Sequence, residues 1–92
     1  MLRITETRSG ERFVLKLEGR ISGDWVDEVN SSWRSAVASG ERKICVDLTD
    51  VSLVDGAGQA LLMRMYRAGV RFATRGCVLR ELIREIREMV ES

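Results

Sequence analysis

The sequence contains no histidine and no proline, has only two cysteines, and draws 5% of its 92 residues from the aromatics. Without histidine it lacks the commonest general base near neutral pH. Cys45 and Cys77 alone cannot supply the four soft ligands of a closed zinc site. Fifteen Lys plus Arg against fourteen Asp plus Glu leave a formal charge of +1, so no overall field draws in nucleic acid or an anionic membrane. The longest apolar run is Ala60 to Met63, whereas a spanning helix needs about 20 apolar residues. No apolar secretory core follows Met1, which makes cytoplasmic residence the expectation. With no proline, no Ser/Gly-rich tract and no internal repeat, no linker stands out. Residues 1–92 read as one domain, and the 45% hydrophobic content is enough to fill one core.

What is present is strong periodicity. Leu2 to Thr5 and Phe13 to Glu18 alternate apolar and polar residues around a polar turn containing Gly10, the pattern of a β-hairpin. Ser22-Gly23-Asp24 offers capping side chains for a helix whose apolar positions Val26, Val29, Trp33 and Val37 recur every three or four residues until Gly40 closes it. Lys43 to Leu48 reads as a central strand covered on both faces. An apolar link, Val51 to Val54, leads into the turn Asp55-Gly56-Ala57-Gly58 and a helix over Gln59 to Ala68, ended by Gly69. Val70 to Thr74 resumes a strand. Leu79, Leu82, Ile83, Ile86, Met89 and Val90 then form one stripe of an amphipathic helix. The order implies an α/β fold: a mixed four-stranded sheet, with an antiparallel N-terminal hairpin plus parallel strands, and about three helices.

The turn has a chemistry of its own. A carboxylate at Asp55 can accept the free N–H groups that follow it, and Gly56 and Gly58 permit a tight bend into the helix. Such a helix start carries partial positive charge and is a docking point for an acidic group or a phosphate. Against this stands the plainer reading, in which Asp55 is only an N-cap and the glycines only satisfy the bend.

The run from Ile44 to Leu62 resembles the heart of STAS domains, the family of bacterial anti-sigma factor antagonists and sulfate-transporter tails. The most specific part is Asp47-Leu48 together with Asp55, Gly58, Leu61 and Leu62. Residues 69–76 also look like that family's following strand, and the order of elements extends the likeness over nearly the whole chain. The resemblance implies a STAS-like fold and a non-catalytic role in binding another protein, such as an anti-sigma kinase, a scaffold or a transport component. In the antagonists a kinase phosphorylates the second serine of an Asp-Ser-Ser-Gly turn. Here Gly56 and Ala57 take the serine positions, so neither can accept a phosphoryl group, and the charge of a phosphate at this spot is lost. Ser52 and Thr49 are the nearest hydroxyls. The contact surface expected from the resemblance and the turn comprises Ser22, Asp24, Asp55, Gly56, Ala57, Gly58, Gln59 and Met63.

Other features admit two readings each. From Gly56 to Arg80 the chain carries Arg64, Arg67, Arg71, Arg75 and Arg80 and no carboxylate, which is either a basic face beside the turn or an ordinary solvated surface. The apolar helix with Leu61, Leu62, Met63, Met65 and Tyr66 either meets another chain, as in a homodimer or scaffold, or is pinned between the sheet and the last helix. Trp33 reads as core, whereas Trp25, at the capped start of its helix, is either a helix-end staple or a ligand platform. Asp47, Asp50 and Asp55 could in principle hold magnesium or a nucleotide, but no phosphate loop or nucleophile elbow accompanies them. No enzyme, metal or cofactor is therefore expected. Cys45 and Cys77 read as packing residues.

Overall fold

The computed structural model describes residues 1–74 and 77–91. Its elements run β1 (Leu2–Ser9), β2 (Arg12–Ile21), α1 (Trp25–Ala38), β3 (Lys43–Val54), α2 (Gly56–Arg67), β4 (Arg71–Ala73) and α3 (Cys77–Glu91). The strands form one sheet in the order β1-β2-β3-β4. β1 and β2 pair antiparallel, whereas β2–β3 and β3–β4 are parallel, with a helix between each parallel pair. This is the architecture that the hydrophobic periods call for.

The core lies on one face of the sheet. Leu15 and Leu17 of β2 and Ile44, Val46 and Leu48 of β3 are buried, while the intervening Val14, Lys16, Cys45, Asp47 and Thr49 are half-exposed. The expectation that β3 is covered on both faces therefore fails. Alternation within Lys43 to Leu48 was masked by Cys45, which is apolar enough to look like core but sits on the open face. Buried side chains of α1 (Val26, Val29, Ala36), α2 (Leu61, Leu62, Met65) and α3 (Leu79, Ile83, Ile86) complete the cluster, each large one contributing about 1.5–3 kcal/mol by leaving water.

β3 is longer than the sequence pattern suggests: the apolar link belongs to it, and Lys43 to Val54 is one strand. Its pairing with β2 shifts twice, between Lys16 and Glu18 and between Gly19 and Arg20. Each shift places an extra β3 residue opposite β2. The first lets Leu48 and Val51, three apart, both reach the core. At the second, Ser52 donates its hydroxyl to the Gly19 carbonyl (3.3 Å), and Leu53 turns outward, 48% exposed. Such bulges re-aim side chains near strand ends.

The helices depart from expectation at particular residues. α1 has no side-chain cap: Asp24 is already helical in backbone (φ −65°, ψ −19°), and Trp25, Val26 and Asp27 donate N–H groups to Ser22, Gly23 and Asp24 carbonyls. A tight backbone turn replaces the expected capping side chains. Gly40 does close the helix at φ +87°. Val37 is exposed rather than core, because α1 ends one residue later, beyond the sheet's cover. α2 begins at Gly56 instead of Gln59. Its buried Leu61, Leu62 and Met65, with half-buried Met63 and Tyr66 packed on the core, fit the pinned reading, and Tyr66 donates its hydroxyl to Glu91 of α3 (2.7 Å).

Candidate functional site

Asp55 joins two loops. Its backbone is extended (φ −81°, ψ −178°), which leaves the side chain free to fold back over the start of α2. The Gly58 N–H donates to Oδ1 at 2.7 Å, and the Gly23 N–H, from the loop between β2 and α1, donates to Oδ2 at 3.0 Å. The Asp55 N–H donates to the Ile21 carbonyl and the Gln59 N–H to the Asp55 carbonyl (3.1 and 2.8 Å). The Gly23 and Gly58 N–H groups hold the carboxyl below its ordinary value of 3.8 against the opposing influence of desolvation, and the Ala57 N–H adds to the lowering. Gly23 reaches its position through φ +57°, where a side chain would be strained.

This geometry alters the docking expectation. The positive end of α2 is already answered by a carboxylate of the same chain, so it offers an incoming acidic group or phosphate little unshielded charge. What remains outside is small and apolar.

The two glycines of the turn differ sharply. A Cβ on Gly58 would stand 2.8 Å from both the Ile21 carbonyl oxygen and Val54 Cγ1, whereas one on Gly56 would meet nothing within 4 Å. Gly58 is buried support that brings α2 against β2 and β3, while Gly56 and Ala57 are exposed. Of the expected surface residues, Asp24, Gly56, Ala57 and Gln59 are exposed, and Ser22 and Asp55 are half-buried. The Gly23–Asp55 bond brings the two loops together. Met63 is half-buried against the core and lies seven residues beyond Gly56, roughly 10 Å along the helix at about 1.5 Å per residue.

Sequence reasoning missed two neighbours of the turn. Leu53, two residues before Asp55, reads in the sequence as part of an apolar link, and Trp25, two residues after Gly23, is not singled out as surface, yet they are 48% and 37% exposed. The only sequence signal for Leu53 was the unbroken apolar spacing around Ser52, which cannot reveal a bulge.

The three carboxylates considered for magnesium do not converge. Asp47 accepts the Thr49 N–H (2.9 Å); burial works to raise its pKa, but the Thr49 hydrogen bonds and Lys16 outweigh it and leave the value lowered. Asp50 pairs with Lys16 (3.4 Å), and Asp55 serves the turn. Among the described residues no group of three metal-capable side chains forms. The arginines do not gather at the turn either: Arg64 and Arg67 lie on α2, Arg71 opens β4 and Arg80 is on α3. Arg75 and the side chain of Cys77 lie outside the described residues. Among the described residues no helix is long and apolar enough to cross a membrane.

A family model described as "Mlab, STAS domain" matches residues 4–92. The chain is a STAS domain. No curated protein matches it. Among solved structures, this STAS domain is similar to an anti-sigma factor antagonist from Mycobacterium paratuberculosis, at 18% identity and TM-score 0.82, covering 91% of this chain and 76% of that one. It is also similar to the anti-sigma factor antagonist SpoIIAA in its unphosphorylated form, at 15% identity and TM-score 0.63, covering 95% and 98%. A third is an uncharacterised protein with a SpoIIAA-like fold from Shewanella loihica, at 15% identity and TM-score 0.59, covering 85% and 70%. At these identities the likeness establishes the fold shared with the antagonists.

Proposed function

We propose that this STAS domain is a non-catalytic protein-binding module whose contact surface is the start of α2 together with the loop before α1. The observation that carries the reading is the exposed Gly56-Ala57 pair, held in place by Asp55 and Gly58, with exposed Leu53 just before this turn and exposed Trp25 just after Gly23, the glycine that Asp55 binds. Two small residues let a partner backbone approach closely, and apolar neighbours supply area that water does not favour. Ser22, Asp24 and Gln59 form a polar margin, and Met63 lies further along α2, half-buried against the core.

The partner is a protein of the kinds associated with such domains: an anti-sigma kinase, a scaffold or a transport component. Contact here is not switched at the family's serine positions, since Gly56 and Ala57 carry no hydroxyl. The fold shared with an antagonist solved in its unphosphorylated form supports the comparison.

The test places a photo-crosslinking residue at Gly56, where an added side chain has room, and a control at exposed Thr7 of β1. In the native cytoplasm a discrete protein adduct is expected at Gly56, absent at Thr7 and lost when Leu53→Asp is added. Equal labelling at both positions overturns the reading. Light scattering over a concentration series identifies an adduct that is merely a second copy of this chain.

A further inference from the structure

The open face of the sheet distributes charge unevenly. In the middle of β2 and β3, Lys16 is paired with Asp50 (3.4 Å). The first residues of three neighbouring strands, Arg12, Lys43 and Arg71, line a hollow of about 250 Å³ with Arg42, Cys45 and Gly69. Among the described residues no carboxylate lines it. Among the described residues Lys43 is paired, with the outlying Glu11 (3.1 Å), whereas Arg12, Arg42 and Arg71 have no ion-pair partner.

Pairing explains the convergence. Arg12 faces Lys43 across β2 and β3, and Cys45 faces Arg71 across β3 and β4, so cations from three strands meet around one half-exposed thiol. Burial pushes the Cys45 thiol up, Arg12 pulls it down ahead of the opposing influence of Asp47, and Arg71 also pulls it down. Both guanidiniums thus lie within electrostatic reach of the sulfur. A concavity lined by one sign of charge concentrates the opposite ion, and guanidinium forks match phosphoryl oxygens two at a time.

We propose that the hollow formed by Arg12, Arg42, Lys43 and Arg71 binds a phosphoryl or pyrophosphoryl anion, with Cys45 in its lining. At about 250 Å³ the space is below the roughly 300–1,000 Å³ of pockets for drug-sized ligands, which suits a phosphoryl group rather than a whole nucleotide. The site lies at the opposite end of β3 from the Asp55 turn and is independent of the protein-binding reading.

Cys45 serves as the reporter. Inorganic pyrophosphate at ten times its dissociation constant is expected to slow alkylation of Cys45 by neutral iodoacetamide about tenfold, read by mass spectrometry on the Cys45 peptide so that Cys77 does not interfere. Chloride at equal ionic strength should not protect, and Arg12→Ala or Arg71→Ala should abolish protection; both are exposed positions whose replacement leaves the core intact. In a parallel arm, vesicles of phosphatidylcholine with phosphatidylglycerol present the same chemistry on a lipid surface. Protection by pyrophosphate or by vesicles that the arginine variants abolish supports the site and assigns the source. Protection by neither, equal protection by chloride, or protection unchanged in both variants overturns it.

Discussion

At the carboxyl end of β3, a single carboxylate accepts one N–H from the loop before α1 and one from the first turn of α2, and leaves a neutral surface of small residues. At the amino ends of β2, β3 and β4, cations converge on a hollow whose described lining holds no carboxylate, with Glu11 reaching Lys43 from outside it. From Cys45 to Val54 the two regions are separated by roughly 30 Å of strand at about 3.3 Å per residue. The difference teaches where each end gets its order. The turn is fixed by hydrogen bonds and close packing within the chain, so its residues are intolerant of change beneath and permissive on top. The hollow is held only by strand register, so its arginines can be replaced without disturbing the fold.

The largest effect expected from this contrast is at Gly58. Gly58→Ala puts a methyl against the Ile21 carbonyl and Val54 and should lower unfolding free energy by about 1–3 kcal/mol, as overpacking does. Gly56→Ala, two residues away in the same helix, should change it by no more than about 1 kcal/mol, in the stabilising direction. Urea melts of the two variants check this; equal losses would mean that the turn is not layered as described.

Asp55→Ala should destabilise next most, and its signature is pH. The folded-state pKa is depressed, so the carboxylate's contribution is present above its ordinary 3.8 and is lost as pH falls through the lower folded value. The gap in melting temperature between wild type and variant should therefore be full at neutral pH and narrow progressively below pH 3.8. A gap independent of pH would show that the bonds to Gly23 and Gly58 do not depend on the charge.

Leu53→Ser should leave stability within about 0.5 kcal/mol, because an outward side chain contributes little to folding. The smallest effect belongs to the hollow: Arg12→Ala with Arg71→Ala should raise the melting temperature slightly at low salt by relieving like-charge repulsion. That gain should vanish near 1 M salt, where the screening length is about 3 Å. A loss of stability at low salt would mean that these side chains are bonded within the protein.

Much of this molecule was legible in its residues. Period-2 and period-3.6 hydrophobicity named all seven elements and their order, Gly40 and Gly69 marked two helix ends at positive φ, and Asp55 announced the cap of α2. These are local properties, in which each side chain's preference acts within a few neighbours along the chain. Three features were decided by tertiary structure. The bulge at Ser52 that turns Leu53 outward arises from the pairing of β2 with β3. The second bond of Asp55, to Gly23, joins residues 32 positions apart. The gathering of Arg12, Lys43 and Arg71 depends on parallel register between three strands. Sequence fixes what a residue prefers beside its neighbours, whereas which distant residues come to share a surface is settled only when strands align and helices close over one face of the sheet.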